Sequence, residues 1–563
     1  MPQGPRLGTA ERAVLALAAL VCVFLVVVPV GMLLFGSLRT AAPGAPGAFT
    51  LQNYLRLAEP RFWHALLNTV WVAALAAALA GAIGISLAWI VTRSDVRRAG
   101  LIEVLAVVPF LLTPFLGALA WVLLASPERG IINVYLMRLL GLASPPFNIY
   151  SYGGMVWVLG LFHAPVVFLF CAGALKNMDP ALEEAARMVG VGAGRTALKI
   201  TLPLVLPSIL SAFLLAFVLC AENFGVPSVL GPPRNLYLTT SRMFELTAVF
   251  PPNYNMASSL AAVLLLLVAI MVLIQRRMVG RRRFVTVTGK GHRAARIPLG
   301  GWRPWVEAYC WIVIAVSSIL PYAGLAVMGL SRVWTGRIEL AQIGLENFHW
   351  VLFQYPMTIR AIGNTFLVAG LGATACVVFV ALIAYIVHRV PHPLARALDY
   401  LSTAPVAIPG LVMGVGLLWT YVYVPMAIYG TLIILGIAYT TRYMPYGVRA
   451  VSSVLLQIDP ELEEAGRVHG ATALRRWTRI LLPLLRPGLA AAWVTLFTFF
   501  FRELSASIFL YSSGNEVISV ALFDIWTEGL YVKAAALGLI QATIVLAVLF
   551  AFRRVSGTPA GMV

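Results

Sequence analysis

Charged residues are scarce in this sequence. They make up 11% of its 563 residues, whereas soluble domains carry about 25%, and 60% of the chain is hydrophobic. This balance excludes an ordinary soluble domain and is typical of a protein that crosses a membrane many times. The composition therefore predicts an all-α polytopic membrane protein.

The sequence also lacks paired cysteines. Its five cysteines are scattered in or beside apolar runs, with neither the spacing of a disulfide framework nor that of a zinc site. We therefore predict that they are small buried hydrophobic residues. They are Cys22, Cys171, Cys220, Cys310 and Cys376.

A phosphate-binding loop is missing as well. The pattern Gly-x-x-x-x-Gly-Lys-Ser/Thr does not occur, and the closest piece, at 288–291, lacks the upstream glycine and the hydroxyl residue. No catalytic triad or metal-hydrolase motif is present either. The chain is therefore predicted to bind no cofactor of its own and not to be an enzyme.

What the sequence has instead is a series of twelve apolar runs, each long enough for a membrane-spanning helix of about 20 residues. The first run is too long for a secretory signal and has no cleavage flank, so we predict an uncleaved span. The runs lie near 13–36, 67–91, 101–125, 152–175, 204–230, 256–275, 307–330, 364–387, 398–422, 428–448, 488–510 and 533–552.

The net charge of +19 comes from lysines and arginines that concentrate in alternate short loops. In a membrane protein this pattern marks the cytoplasmic side, so it does not indicate nucleic-acid binding. Both termini are therefore predicted to be cytoplasmic. The predicted parts are a first half at 1–275, a basic cytoplasmic linker at 276–303 and a second half at 304–563.

The two sets of six spans carry a repeated segment. Asp179-Pro-Ala-Leu-Glu-Glu-Ala-Ala-Arg-Met-Val-Gly190 aligns without a gap with Asp459-Pro-Glu-Leu-Glu-Glu-Ala-Gly-Arg-Val-His-Gly470, 280 residues later. More loosely, Asn68-Thr69 opens the second span as Asn364-Thr365 opens the eighth. Two halves of the same orientation predict a parallel duplication, with a pathway at the interface between them.

Each repeated segment is predicted to form a short helix across the cytoplasmic face. Asp179 can cap a helix that has Pro180 at its first position, and Glu183 and Glu184 fall where the helix dipole favours acids. Gly190 then permits a sharp turn of the backbone. A plain amphipathic loop helix would explain one copy of these features, but a matched pair favours a shared function.

The two segments resemble the Glu-Ala-Ala loop of ABC importer permeases. The family pattern is Glu-Ala-Ala, three residues, Gly, nine residues and Ile-x-Leu-Pro, so that the loops extend over 179–203 and 459–483. The second copy departs from it at Gly466, where the family has alanine. The resemblance covers nearly the whole chain and implies a type I (MetI-like) permease fold with both six-helix halves in one polypeptide.

The resemblance also implies partners. An ATP-binding cassette subunit, expected as a homodimer that uses ATP and Mg²⁺, would dock on the two short helices. A periplasmic or lipid-anchored binding protein would deliver the cargo to the permease in a bacterial inner membrane. The expected docking residues are Glu183, Glu184, Ala185, Ala186 and Gly190 in the first copy, and Glu463, Glu464, Ala465, Gly466 and Gly470 in the second.

Two acids lie late in apolar spans, where a charge is costly and commonly functional. Glu222, in the fifth span, and Glu503, in the eleventh, stand at nearly equivalent positions of the two halves. With Asn223 and Ser505 they are candidates for a pathway that passes a cation. The alternatives are that Glu503 pairs with Arg502 or caps a broken helix, and that Glu222 satisfies local backbone groups.

Two further polar residues lie inside predicted spans, Arg442 in the tenth and His163 in the fourth. A lone polar residue in a span is more often a contact between helices than part of a site. These two are therefore weaker candidates than the acids.

The stretches that begin Glu222-Asn-Phe-Gly-Val-Pro and Arg502-Glu-Leu-Ser-Ala-Ser resemble the ferric-iron permeases. The resemblance implies Fe³⁺ as cargo, with transient contacts at Glu222 and Glu503, since this hard ion favours oxygen ligands. Relatives of the same build handle thiamine, polyamines or aminoethylphosphonate, and these alternatives stay open. A secondary transporter of twelve spans would explain the topology and the duplication, but not the two matched loops.

Overall fold

The computed structural model describes residues 9–111, 113–179, 181–280, 296–424 and 426–556, and within these ranges the chain forms helices and no β-strand. The all-α prediction is confirmed. The five cysteines are free and buried, also as predicted. Most of the predicted linker, including 288–291, lies outside the described residues.

Nine of the described helices are long and apolar enough to cross a membrane, and two bent helix pairs raise the number to eleven. The nine are Arg12–Ser37, Pro60–Arg93, Tyr152–Lys176, Gly194–Ala221, Tyr254–Met278, Gly300–Leu330, Pro356–Arg389, Ala473–Phe501 and Tyr531–Phe552. The tenth predicted span is the helix Leu432–Leu455, whose 24 residues are sufficient in length but include more polar side chains.

The third and ninth spans are broken, which differs from the single runs predicted at 101–125 and 398–422. Each consists of two helices, bent by 96° in the third span and by 112° in the ninth. Prolines in both runs remove backbone donors and clash with the preceding turn, so a straight helix cannot continue. The helix pairs are Ala99–Phe110 with Pro114–Ala125, and Pro393–Ala407 with Gly410–Tyr423.

The fifth and eleventh spans begin and end earlier than the predicted runs at 204–230 and 488–510. Their helices are Gly194–Ala221 and Ala473–Phe501. Pro203 and Pro483 lie inside these helices, each just after a five-residue π-helical turn. The wider turn accommodates the ring and the missing donor, so the helix passes through the proline.

Short helices follow the same plan in both halves. Thr69 Oγ1 accepts the N–H of Thr239 at 2.8 Å, and Thr365 Oγ1 accepts the N–H of Ile518 at 2.8 Å. Each bond fixes the start of a helix, so the two threonines are structurally equivalent. The short helices are Gln52–Leu55, Ile131–Leu140, Ala181–Met188, Gly225–Leu230, Thr239–Ala248, Glu346–His349, Glu461–Val468, Ser507–Leu510 and Ile518–Thr527.

The first span of each half packs against the other half. The first span packs on the ninth, and the seventh packs on the third. A Cβ added at Gly36 would lie 2.2 Å from Trp419 Cε2, so only glycine allows the first contact. On the other side, a Cβ at Gly324 would lie 3.4 Å from Leu124. The halves therefore interlock around one continuous buried core.

Candidate functional site

A cavity of about 350 Å³ lies between the two halves. Its walls come from the breaks in the third and ninth spans, from the fourth and tenth spans, and from the ends of the fifth and eleventh. The polar residues that line it include Glu222, Asn223, Arg442, Arg502, Glu503 and Ser505. All four residues that the sequence predicted for a pathway thus meet in one place.

The acids reach the cavity because the fifth and eleventh helices stop there. Asn223 Oδ1 accepts the N–H of Val226 at 2.9 Å, and Glu503 Oε1 accepts the N–H of Ala506 at 2.9 Å. Both side chains therefore cap the short helix that follows, three residues on. In this capping role Glu503 corresponds to Asn223. The predicted equivalence of Glu503 with Glu222 is therefore off by one residue.

Arg442 joins the two acids. Its Nη2 lies 3.2 Å from Glu222 Oε1, and its Nε lies 3.7 Å from Glu503 Oε2. Because Glu222 belongs to the first half and Arg442 to the second, this ion pair crosses the interface. Tyr443 donates a hydrogen bond to the same oxygen of Glu503. Glu503 therefore caps a helix, as the alternative held, but its ion-pair partner is Arg442 rather than its neighbour in sequence.

The guanidinium of Arg442 fits against a glycine. A Cβ added at Gly410 would lie 1.5 Å from Arg442 Nη1, so the space exists only because this position has no side chain. Within the described residues Nη1 is buried and has no hydrogen-bond partner. Arg442 thus keeps one buried N–H group beside the cavity whose hydrogen-bonding capacity is unused.

Arg502 makes a second contact across the interface. It donates to the carbonyl of Phe110, at the break of the third span. Its guanidinium also lies 4.8 Å from the ring centre of Phe110 and 5.1 Å from that of Phe499. The cavity therefore contains two acids and two arginines, whose formal charges cancel.

His163 lines the same cavity but makes local contacts. Its Nδ1 donates to the carbonyl of Leu159 at 2.8 Å, and Cys220 Sγ lies 3.6 Å from that nitrogen. This supports its interpretation as a contact between helices. Arg442 had the same interpretation, and its ion pairs with Glu222 and Glu503 are contacts between helices that also line the cavity. The sequence did contain an indication for Arg442, because an ionisable group inside a span is a functional candidate by default.

The two repeated segments form the helices Ala181–Met188 and Glu461–Val468. Asp179 and Asp459 accept the N–H groups two residues on, at 2.9 and 3.0 Å, and so cap them as predicted. Gly190 and Gly470 have φ of +78° and +75°, which confirms the predicted sharp turn. We call these two the amphipathic helices.

The residues predicted for docking divide between two faces. Glu183 and Ala186 are buried, whereas Glu184 and Ala185 are exposed. The second copy repeats the exposure of Glu464 and Ala465, with Glu463 and Gly466 partly covered. At Gly466 a Cβ would lie 2.8 Å from Ile480 Cδ1, so an alanine here would require that side-chain end to shift.

The described residues contain no group of three or more histidine, cysteine, aspartate or glutamate side chains that could hold a metal ion. At the cavity the two carboxylates, Glu222 and Glu503, both face Arg442. A cation that entered would therefore compete with the guanidinium for the same oxygens.

Comparison with known proteins assigns the chain to a family. The model of the binding-protein-dependent transport system inner membrane component matches twice, at residues 80–284 and 378–556. A ferric transport system permease protein of Actinobacillus pleuropneumoniae is 27% identical over 498 residues, which are 87% of this chain and 71% of that protein.

Two further relatives are transport permeases as well. An Fe(3+)-transport system permease protein of Haemophilus influenzae is 23% identical over 85% of this chain and 87% of its own length. A sulfate transport system permease protein of Salmonella typhimurium is 30% identical over 38% of this chain and 81% of its own length. With its apolar helices and two copies of the domain, this multi-pass membrane chain belongs to the family of inner membrane components of binding-protein-dependent transport systems.

Proposed function

We propose that this chain forms the translocation pathway of an ATP-driven importer of ferric iron. A periplasmic or lipid-anchored binding protein delivers the cargo, and a separate subunit hydrolyses ATP with Mg²⁺. The observation that carries the proposal is the cavity between the halves, where Glu222 of one half and Glu503 of the other meet on Arg442.

The contacts across the interface suit alternating access. If the halves rock about their interface, the ion pair between Glu222 and Arg442 and the bond from Arg502 to Phe110 separate together. Glu222 then loses its partner and presents oxygens to the cargo, whereas Glu503 stays paired with Arg442, since both belong to the second half.

The amphipathic helices supply the docking surface for the ATPase. Their outer faces expose large apolar side chains, which suits burial against a partner. Two equivalent helices in one chain fit two identical ATPase copies. The arginines that follow these helices in sequence favour a cytoplasmic position for this end, and we propose the same side for both termini. The exposed apolar residues are Leu182, Met188, Leu462 and Val468.

The cargo rests on oxygen chemistry and on the ferric permeases among the relatives. Fe³⁺ prefers carboxylate and phenolate oxygens, and Glu222, Glu503 and Tyr443 supply these at the cavity. We propose transient contacts rather than a resident site. A second candidate is an oxyanion such as sulfate or a phosphonate, because Arg442 and Arg502 line the same cavity and one relative is a sulfate permease.

Transport by the purified complex tests both candidates. The permease, its ATPase and its binding protein are reconstituted in liposomes with ATP, and uptake of radioactive Fe³⁺, sulfate, aminoethylphosphonate, thiamine and putrescine is compared. We expect ATP-dependent uptake of Fe³⁺ alone. Uptake of an oxyanion without iron would overturn the cargo. Failure of any ATPase subunit to co-purify in mild detergent would overturn the importer itself.

A further inference from the structure

An arginine ends the second span and another ends the eighth. The helices Pro60–Arg93 and Pro356–Arg389 both have 34 residues, so the two arginines are equivalent. Arg93 Nε lies 3.4 Å from Glu183 Oε1, and Arg389 Nε lies 2.9 Å from Glu463 Oε1. In each half the arginine thus contacts the buried glutamate of the amphipathic helix.

Each arginine also reaches the end of a third element. Arg93 Nη2 donates to the carbonyl of Leu175 at 2.9 Å, near the end of the fourth span. Arg389 Nη2 donates to the carbonyl of Leu455 at 3.3 Å, at the end of the tenth span, and to that of Ile458 at 2.6 Å. Carbonyls at a helix end lack partners within the helix and attract a cation. One guanidinium therefore joins two spans and one amphipathic helix.

Each glutamate also accepts a hydrogen bond from a second side chain. Thr201 Oγ1 donates to Glu183 Oε1 at 2.6 Å, and the Tyr385 hydroxyl donates to Glu463 Oε2 at 3.2 Å. The second contact differs between the halves, whereas the arginine is common to both. Side chains of the first pair are only 4% and 6% exposed. A buried ion pair adds little net stability compared with apolar groups, but it fixes geometry.

The third element leads to the cavity. The helix Leu432–Leu455 ends at the carbonyl that Arg389 holds, and it carries Arg442. Arg442 lies 13 residues before Leu455, or roughly 20 Å along a helix that rises 1.5 Å per residue. One continuous helix, which contains Pro445, therefore connects the second amphipathic helix with the ion pairs at the cavity.

We propose that Arg93 and Arg389 are positioning residues that make each amphipathic helix move as one body with two spans of its half. Displacement of an amphipathic helix by the ATPase then moves the walls of the cavity. This role rests on the proposed importer function. It assigns the inward glutamates, Glu183 and Glu463, to transmission within the chain and leaves the outward pair, Glu184 and Glu464, to face the partner.

The test replaces both members of a pair with apolar residues of similar length, Arg93→Met with Glu183→Met, so that no buried charge is left alone. The complex with its ATPase is purified, and cargo transported per ATP hydrolysed is measured together with the thermal midpoint. We expect the ATPase to co-purify and hydrolyse ATP, the midpoint to stay close to the parent value, and transport per ATP to fall about tenfold. The exposed arginine in Arg396→Met is the matched control, with an unchanged ratio.

A ratio equal to the parent's in the paired variant would overturn the proposal, as would a fall in midpoint and protein amount with the ratio preserved. Should the first pair not accumulate, Arg389→Met with Glu463→Met gives the same reading at a less buried site, 13% and 12% exposed. Failure of the proposed function is separate, because the unmodified permease would then show no ATPase-driven transport at all.

Discussion

Among single residues, Arg442 has the largest consequence for the cavity. A carboxylate that is removed from water is costly unless a cation or several donors compensate it, and Arg442 compensates Glu222 and Glu503 together. The same guanidinium ties one half to the other. Its environment also depends on Gly410, which leaves room for Nη1.

Replacement of this arginine should destabilise the chain. Arg442→Gln leaves two buried acids without a cation, and we expect a loss of about 3–5 kcal/mol in the free energy of unfolding. Thermal unfolding in detergent measures it. The control is Arg449→Gln, an exposed arginine on the same helix. Equal thermal midpoints for the two variants would contradict the role of Arg442 in compensating the two acids.

The acids themselves should affect transport. Glu222→Gln combined with Glu503→Gln removes both negative charges while the side chains keep their size, so we expect Fe³⁺ uptake to fall about tenfold while the ATPase still co-purifies. Uptake in proteoliposomes and the amount of bound ATPase are the measurements. The exposed acid in Glu528→Gln serves as the control. Unchanged uptake would favour purely local roles, in which Glu503 caps a helix and Glu222 pairs with Arg442.

At the scale of elements, the amphipathic helices have two distinct faces. The inward face carries Glu183 and Ala186, which the chain itself covers, and the outward face carries Glu184 and Ala185. Each helix is only eight residues long, and a free helix of that length is unstable in water. Its cap, its left-handed glycine and its inward ion pair therefore hold it in place for a partner.

The outward glutamates should matter for the partner and not for the fold. We expect Glu184→Ala with Glu464→Ala to weaken co-purification of the ATPase or to uncouple ATP hydrolysis from uptake, because both side chains are exposed on the docking face. The free energy of unfolding of the permease alone should stay within about 0.5 kcal/mol of the parent value, so its thermal midpoint should hardly change. Glu528→Ala, outside both helices, is the control. Parent-like uptake in the double variant would rule out docking through these residues.

At the scale of the whole molecule, the packing of each first span against the other half joins the two halves into one unit. The first span contacts Trp419 of the other half through Gly36, and Trp419 Nε1 in turn donates to Ser258 Oγ of the first half at 2.9 Å. The described end of the linker is also tied to the first half, since Ile297 pairs with Ser94. The proposed rocking of the halves would therefore take place around these attachments.

The contact of the first span with the ninth offers a matched pair of substitutions. A methyl group at Gly36 would meet the Trp419 ring, so Gly36→Ala should cost about 1–3 kcal/mol of stability by overpacking. At Gly31, on the same helix, an added Cβ meets no atom within 4 Å, so Gly31→Ala should be neutral. Thermal unfolding of the two variants compares them directly. A similar midpoint for both would show that the packing adapts without cost.

Much of the fold followed from the sequence because local chemistry determines it. Long apolar runs in a chain with few charges must form helices in a membrane, and the repeat at Asp179 and Asp459 predicted two halves, two caps and two left-handed glycines. The broken spans were not predicted, although their prolines were visible. A proline can bend one helix, whereas another helix continues through its proline. The π-helical turn that precedes Pro203 depends on the tertiary structure.

The sequence by itself determined the membrane class, the duplication, the amphipathic helices and the presence of acids late in two spans. Only the tertiary structure decided the partners of those acids. Glu222 and Arg442 lie 220 residues apart in the chain, and no local pattern encodes such a contact. Periodicity and capping act over a few residues, whereas an ion pair across two halves depends on how whole helices pack.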